Sequence, residues 1–300
     1  MDLLLVVPVH QETDDELRAR YRVQAYASVK DQSPQAQADF FASLSQCQIA
    51  VTTGSFGMKA AMMQQLPSLR LIACFGVGVD GVDLNEARSR SIAVTNTPDV
   101  LTEEVADFAI ALLLASLRQI PQADRFVRGG DWLKGPMFLT HSLQKKRMGI
   151  VGMGRIGQAI AKRAQAFGLE IAYFGPRAKA SLPYPYIASV TDLARWCDCL
   201  MVACPGGAQT AGLISREVLL ALGPDGFLVN ISRGSVVDQD ALIDLLQNRA
   251  LAGEALLQMP HVVLSPHVAS ASRQTRAAMG QLTLANVAAF VAGRPLLTAV

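Results

Sequence analysis

Met148-Gly-Ile-Val-Gly-Met-Gly-Arg-Ile-Gly157 is the stretch whose reading decides the fold. It opens with an apolar run of strand length, then sets Gly152, Gly154 and Gly157 in the order G-x-G-x-x-G ahead of Ile156 to Phe167, which reads as a helix. A strand that turns through glycines into a helix brings backbone N–H groups and the positive end of a helix dipole to one place, where a pyrophosphate can approach closely. The glycine pattern alone is weak evidence, because plain tight turns also use it. Its position between strand and helix gives it the meaning of a dinucleotide site.

Working outward, short β-rich apolar runs alternate with helical patterns along the whole chain, the signature of parallel sheets with crossover helices. Downstream of the glycines, Glu170 to Phe174, Cys199 to Ala203, Phe227 to Asn230 and Val262 to Leu264 read as strands joining Met148 to Val151. Upstream, Leu3 to Val7, Ile49 to Thr52, Leu71 to Cys74 and Ile92 to Val94 form a second set, with helices around Thr13 to Arg20, Pro34 to Leu44 and Met58 to Leu66. A helix from Thr102 to Leu117, apolar around most of its circumference, is expected to be buried between domains. Another, Ala271 to Val291, is expected to return to the first domain. The fold class is therefore α/β with two doubly wound parallel-sheet domains. One is flavodoxin-like and discontinuous, 1–97 with 271–300; the other is Rossmann-type, 98–270.

The 300 residues suit two domains, and a hydrophobic fraction of 51% supplies their cores. With 27 basic residues scattered among 25 acidic ones, the net charge of +2 carries no sign of nucleic-acid binding, and no nucleic-acid partner is expected. The apolar run Phe108 to Leu117 is too short for a membrane span. Met1 to Val9 lacks a basic leader and reads as a first strand, so a cytoplasmic protein is expected. Cys197 and Cys199 have the wrong spacing for a zinc knuckle or redox pair, and Cys47, Cys74 and Cys204 lie in apolar surroundings; buried reduced thiols and no metal are expected.

The end of the strand after the glycines separates the two nicotinamide cofactors. An NAD site places Asp or Glu there, roughly 20 residues beyond the glycines, to bind the ribose hydroxyls. Here the end reads Tyr173-Phe-Gly-Pro-Arg177, without a carboxylate. Arg177, together with Lys179, can pair with a 2′-phosphate instead, so NADPH is expected to be preferred, with NADH possible.

Two further segments end strands of the same sheet: Leu228-Val-Asn-Ile-Ser-Arg-Gly-Ser-Val-Val-Asp238 and Leu264-Ser-Pro-His267. Arg233 is a fixed cation suited to a keto-acid carboxylate, and His267 a group of near-neutral pKa suited to protonating a carbonyl oxygen. Read singly, such an Arg is more often an ion-pair partner and such a His a loop residue.

The whole set resembles the D-2-hydroxyacid dehydrogenases, especially the glyoxylate, hydroxypyruvate and hydroxyphenylpyruvate reductase branch. The resemblance spans nearly the whole chain. It is carried by Phe75-Gly-Val-Gly-Val-Asp80, Thr95-Asn-Thr-Pro-Asp-Val-Leu-Thr102, Val105-Ala-Asp-Phe108, the glycine turn, Val229-Asn-Ile-Ser-Arg-Gly234 and Ser265-Pro-His267. It implies that the N–H groups of Val77 and Gly78 hold the carboxylate of a small 2-keto acid, that Arg233 clamps its carboxylate and carbonyl oxygens, and that His267 is the acid in reduction. The implied cofactor contacts are Gly152, Gly154, Arg155, Ile156, Gly157, Arg177, Thr102 and Ile231. Phe75 and Trp132 would shape the substrate pocket, Trp132 from a second subunit, although both also suit ordinary core or interface positions. The stretch Phe126 to Lys146 resembles the arm used in dimer formation, so a homodimer is expected.

One departure stands out. The family carries a catalytic Glu on a strand and loop between the Arg and His motifs, whereas here Leu251-Ala-Gly253 runs directly into Glu254. The catalytic role is not carried onto Glu254. Because a dinucleotide domain normally has six strands and only five are legible, about a dozen further residues are expected between Gly253 and Glu254, with a chain break at that point. Two functional readings follow. One is an NADPH-dependent reductase of hydroxypyruvate, glyoxylate or an aryl pyruvate; the other is a catalytically silent NAD(P)(H)-binding sensor or interaction module.

Overall fold

Runs of Leu, Ile, Val and Ala lying four or five residues long between helices become strands of a parallel sheet, because crossover helices cover both faces and bury every side chain. The computed structural model describes residues 1–247, 255–259 and 261–300. From the N-terminus come β1 (Asp2–Leu5), α1 (Gln11–Arg20), β2 (Arg22–Ala25), α2 (Pro34–Ser43), β3 (Ile49–Thr53), α3 (Ala60–Gln64), β4 (Leu71–Phe75), α4 (Leu84–Ser89) and β5 (Ala93–Thr95). Next are α5 (Thr102–Leu117), α6 (Ile120–Arg128), β6 (Arg147–Val151), α7 (Arg155–Ala166), β7 (Glu170–Phe174), α8 (Val190–Trp196) and β8 (Cys199–Val202). The described elements end with α9 (Arg216–Leu222), β9 (Phe227–Asn230), α10 (Gln239–Gln247), α11 (Ala255–Gln258) and α12 (Arg273–Val291). They divide into two units, Met1–Leu101 with Ala271–Val300, and Thr102–Ser270.

The first unit holds a five-stranded sheet in the order β2-β1-β3-β4-β5, and its strand pairs are parallel. The order reverses between β1 and β3, and open α/β sheets place their crevices beyond the carboxyl ends of strands at such a reversal. Strand β2 is absent from the sequence reading. It is an edge strand with no buried residue, and Arg22-Val-Gln-Ala shows no apolar run; it is held by backbone pairing to β1 and by the Arg22–Asp2 ion pair. Helix α12 closes the unit by packing on β4 and α1. The approach to α1 is close: a Cβ on Gly280 would lie 2.1 Å from Thr13 Oγ1.

The second unit holds a four-stranded parallel sheet, β7-β6-β8-β9, whose order reverses between β6 and β8. Here the structure corrects the expected fifth strand. Val262 to Leu264 is not in a sheet, and Leu264 is 51% exposed. A β-branched run becomes a strand only by hydrogen-bonding to a neighbour, and among the described residues nothing joins β9 to this segment. The expected break between Gly253 and Glu254, and the end of the expected helix at Asn248, lie outside the described residues.

Within this unit α5 buries Val105, Ala106, Ala109, Ile110, Leu113 and Leu117 and packs on α7 and β9. Arg163 of α7 secures it by pairing with Asp107 at 2.6 Å and Glu103 at 2.8 Å. All five cysteines are free and buried, as their apolar surroundings suggest. Among the described residues no helix is long and apolar enough to cross a membrane.

Candidate active site

The glycine turn begins where β6 ends. Gly152 has φ +98°, a left-handed conformation that side chains rarely adopt, and a Cβ there would meet the Cys204 nitrogen at 2.5 Å. A Cβ on Gly157 would meet the Gly152 carbonyl oxygen at 2.2 Å, so α7 sits directly on the turn. Gly154 is different: it caps α7 and faces open space, with nothing within 4 Å of its Cβ position. Two glycines thus allow the turn to close, and the third leaves a bare backbone at the N-terminus of a 12-residue helix. That is the cradle a dinucleotide pyrophosphate needs, and the residues present fit such a cofactor. Arg155 and Ile156 form the first turn of α7, and Thr102 opens α5 beside that helix.

The loop after β7 is tied to the same turn. Tyr173, fully buried, receives the Lys179 backbone N–H on its hydroxyl at 2.7 Å, and Tyr186 donates its hydroxyl to the Gly175 carbonyl at 3.1 Å. The Lys179 Nζ donates to the Met153 carbonyl at 2.7 Å, laying this side chain over the glycine turn. Arg177 lies exposed two residues earlier, and no carboxylate occurs from Gly175 to Ala180. The chain trace from buried Tyr173 therefore delivers the Lys179 ammonium to the cradle, from a loop that also carries Arg177 and no acid.

At the end of β9, Ile231 hydrogen-bonds to Val202 of β8, and Ser232 and Arg233 leave the sheet in a stiff turn. Asn230 builds that turn: its Oδ1 accepts from Ser232 N at 2.9 Å and its Nδ2 donates to the Arg233 carbonyl at 2.8 Å. Ser232 Oγ donates to the Cys204 carbonyl, linking the turn to the end of β8. Arg233 is half-buried, with Nη1 donating to the Ser232 carbonyl at 3.2 Å. His267 is exposed at φ +58°, a left-handed conformation uncommon for a residue with a Cβ.

In the first unit, Gly76-Val-Gly78 continues from β4 and is clamped on both sides. Asn96 Nδ2 donates to the Val77 carbonyl at 2.8 Å, and Thr97 N donates to the Gly76 carbonyl at 2.8 Å. From the other side Gly81 N donates to the Gly54 carbonyl, and a Cβ on Gly54 would lie 1.7 Å from the Gly78 oxygen. The Gly76 and Val77 carbonyls are thus engaged, and among the described residues no hydrogen bond takes up the Val77 and Gly78 N–H groups, an arrangement compatible with an anion nest. Phe75 is buried, and its ring lies beneath the Arg276 guanidinium, 5.7 Å from centroid to carbon. Trp132 stands in a short turn, Asp131–Leu133, and is 65% exposed.

Sequence reading missed three residues here. His10, Arg273 and Arg276, together with Ala271 and Ser272, line one cavity of about 320 Å³ in the first unit. His10 follows β1 and the arginines open α12, so only the folded chain brings them together. A lone His after β1 carried no signal. The spacing of Arg273 and Arg276 on one helical turn was the only available clue.

Residues 110–269 match the family model described as D-isomer specific 2-hydroxyacid dehydrogenase, NAD binding domain. The chain is 40% identical to glyoxylate/hydroxypyruvate reductase A of Arabidopsis thaliana, over 99% of this chain and 98% of that protein. It is 41% identical to hydroxyphenylpyruvate reductase of Plectranthus scutellarioides (99% and 98%) and 39% identical to 2-ketogluconate reductase of Gluconobacter oxydans (100% and 98%). Among solved structures, the NADPH-dependent glyoxylate/hydroxypyruvate reductase of Sinorhizobium meliloti, in complex with NADP and malonate, aligns with a TM-score of 0.89. Its identity is 38%, over 100% of this chain and 96% of that one. The chain belongs to the D-isomer-specific 2-hydroxyacid dehydrogenase family and is a nicotinamide-dependent oxidoreductase of 2-keto acids. The reductase relatives disfavour a silent binding module. The alignment with 2-ketogluconate reductase runs over 312 residues while this chain has 300, all covered, so that relative carries about twelve residues the chain lacks.

Proposed function

We propose that the protein reduces a small 2-keto acid, of the hydroxypyruvate, glyoxylate or aryl pyruvate kind, with NADPH in preference to NADH. The observation that carries the cofactor preference is the loop after β7, where Lys179 reaches the glycine turn, the sequence supplies Arg177 two residues earlier, and no carboxylate is present. A ribose 2′-phosphate is held by such cations, whereas an Asp or Glu would repel it. The similar reductase of Sinorhizobium meliloti is described as NADPH-dependent, which supports the same reading.

With its pyrophosphate at the glycine turn, the cofactor would supply a hydride from its nicotinamide to the carbonyl carbon. The N–H groups of Val77 and Gly78 receive the substrate carboxylate. Arg233 binds carboxylate and carbonyl oxygens, stabilising the negative charge that grows on the carbonyl oxygen. His267 donates the proton that oxygen takes up, and solvent restores it. In this reading Met1–Leu101 with Ala271–Val300 is the substrate-binding domain. The cofactor domain supplies Gly152, Gly154, Arg155, Ile156, Gly157, Arg177, Thr102 and Ile231.

The protein acts as a homodimer in the cytoplasm. Leu133 (90%), Leu139 (97%) and Phe138 (66%) leave the segment after α6 with large apolar side chains in solvent, and a second copy is the partner that would cover them and place Trp132 at its pocket. The decisive experiment follows NADPH and NADH absorbance with a panel of glyoxylate, hydroxypyruvate and phenylpyruvate, alongside sedimentation to read the mass in solution. Turnover of none of the three acids defeats the reading. Equal kcat/KM with both cofactors defeats the NADPH preference alone, and a monomeric mass the dimer alone.

A further inference from the structure

The cavity at the start of α12 is lined by a concentration of cationic groups that the reading above leaves unused. Arg276 is half-buried and Arg273 exposed, and neither makes an ion pair or hydrogen bond among the described residues. The one contact that places the Arg276 guanidinium is the Phe75 ring beneath it. A planar cation stacked on an aromatic face keeps its fork of N–H donors directed outward. His10 faces the same space from the loop after β1, and its Nδ1 is shielded from water without a hydrogen-bond partner. Burial also pulls the Arg276 pKa below its ordinary value. No Asp or Glu lines the cavity, so its donors are open to an anionic ligand.

Its position says which ligand. Phe75 is the last residue of β4, and the nest residues Val77 and Gly78 follow it directly. His10 marks the reversal between β1 and β3, where a sheet of this order opens its crevice. Resting on the reading of Val77 and Gly78 as the holder of the keto-acid carboxylate, we infer that the cavity of His10, Arg273 and Arg276 binds a second carboxylate at the distal end of the same substrate. Dicarboxylic 2-keto acids then join the substrates proposed above, held at both ends where glyoxylate and hydroxypyruvate are held at one, and bind more tightly than monocarboxylic acids of the same chain length.

The test compares 2-oxoglutarate with 2-oxopentanoate, which shares its chain length but ends in a methyl group. For the full-length protein with NADPH, kcat/KM is expected to be at least tenfold higher for the dicarboxylate. Arg276→Gln should lower the ratio of the two values by roughly ten- to a hundredfold, the range for losing a charge-assisted contact. His10→Gln, which keeps a polar side chain, should lower it less. Calorimetric titration of both acids into the wild-type protein gives a readout free of turnover, with the dicarboxylate expected to bind at least tenfold more tightly. Equal handling of the two acids by the wild type, in binding and in turnover, overturns the inference, and so does an Arg276→Gln protein with an unchanged ratio. If no keto acid is turned over but the binding difference stands and depends on Arg276, the reductase reading fails and the carboxylate site survives.

Discussion

Lys179 donates its ammonium to the Met153 carbonyl, 2.7 Å away, so the loop after β7 is fastened to the glycine turn. The same contact makes Lys179 a clamp as well as a charge. Arg177→Ala is expected to lower the NADPH/NADH ratio of kcat/KM by the equivalent of ~1.5 to 3 kcal/mol, one charge-assisted contact. Lys179→Met should lower it and also loosen binding of both cofactors, because the loop loses its anchor. Unchanged ratios in both variants would show that the preference is set elsewhere.

The three glycines of the turn are expected to separate folding from binding. Gly152→Ala places a Cβ 2.5 Å from the Cys204 nitrogen at a positive φ, and should cost at least ~2 kcal/mol of stability. Gly154→Ala meets nothing within 4 Å, so its melting temperature should stay within a degree or two while the Kd for NADPH rises at least ~tenfold. Calorimetric melting and fluorescence titration of the two proteins check this; a strongly destabilised Gly154→Ala would refute the assignment of its open side to the pyrophosphate.

Arg233 and His267 should fail in different ways. Arg233→Ala should raise KM and lower kcat together, since its charge serves both bound substrate and transition state. His267→Gln should lower kcat by about 10² to 10⁴ while leaving the Kd for NADPH near the wild-type value. A His267→Gln enzyme that turns over normally from pH 6 to 9 would remove this residue from the mechanism.

Burial raises the thiol pKa of Cys74 and Cys199 to about 12 and that of Cys197 to about 11. Above the unfolded thiol value of about 8.5, the unfolded chain has already released these protons while the folded chain keeps them. The unfolded state then binds fewer protons, so stability falls as pH rises from about 8.5 towards 12. Below that window the thiols contribute no pH dependence. Melting curves at pH 7.5 and pH 10 should show a steeper loss in the wild type than in Cys74→Ala or Cys199→Ala. Equal slopes would contradict the assignment, whatever the absolute stabilities of the variants.

Between Gly253 and Glu254 a dozen-residue segment carrying a strand and a Glu should complete the cofactor domain. Inserting a family-like segment there is expected to pair with β9, turn Val262 to Leu264 into a strand, and raise both the melting temperature and kcat. The added carboxylate would favour the imidazolium form of His267 and extend activity to higher pH. An insertion variant with unchanged stability and pH profile would show that the chain manages without it.

The sequence by itself determined the parts whose physics is local. Parallel strands covered on both faces must be continuous apolar runs, which is why β1, β3, β4, β6, β7, β8 and β9 were legible to within a few residues. The glycine turn and the missing acid after Phe174 were legible because each is a property of one short segment. Strand β2 was not, since an edge strand of polar residues exists only through its partner β1. Val262 to Leu264 failed in the opposite sense: it has the composition of a strand and lacks a neighbour to pair with. Tertiary structure alone decided that Lys179 reaches Met153, that Asn96 and Gly54 clamp the loop of Val77 and Gly78, and that His10 meets Arg276 across more than 250 residues of chain. Such meetings follow from strand order and helix packing, and a sheet whose order reverses brings to one edge residues that no spacing along the chain connects.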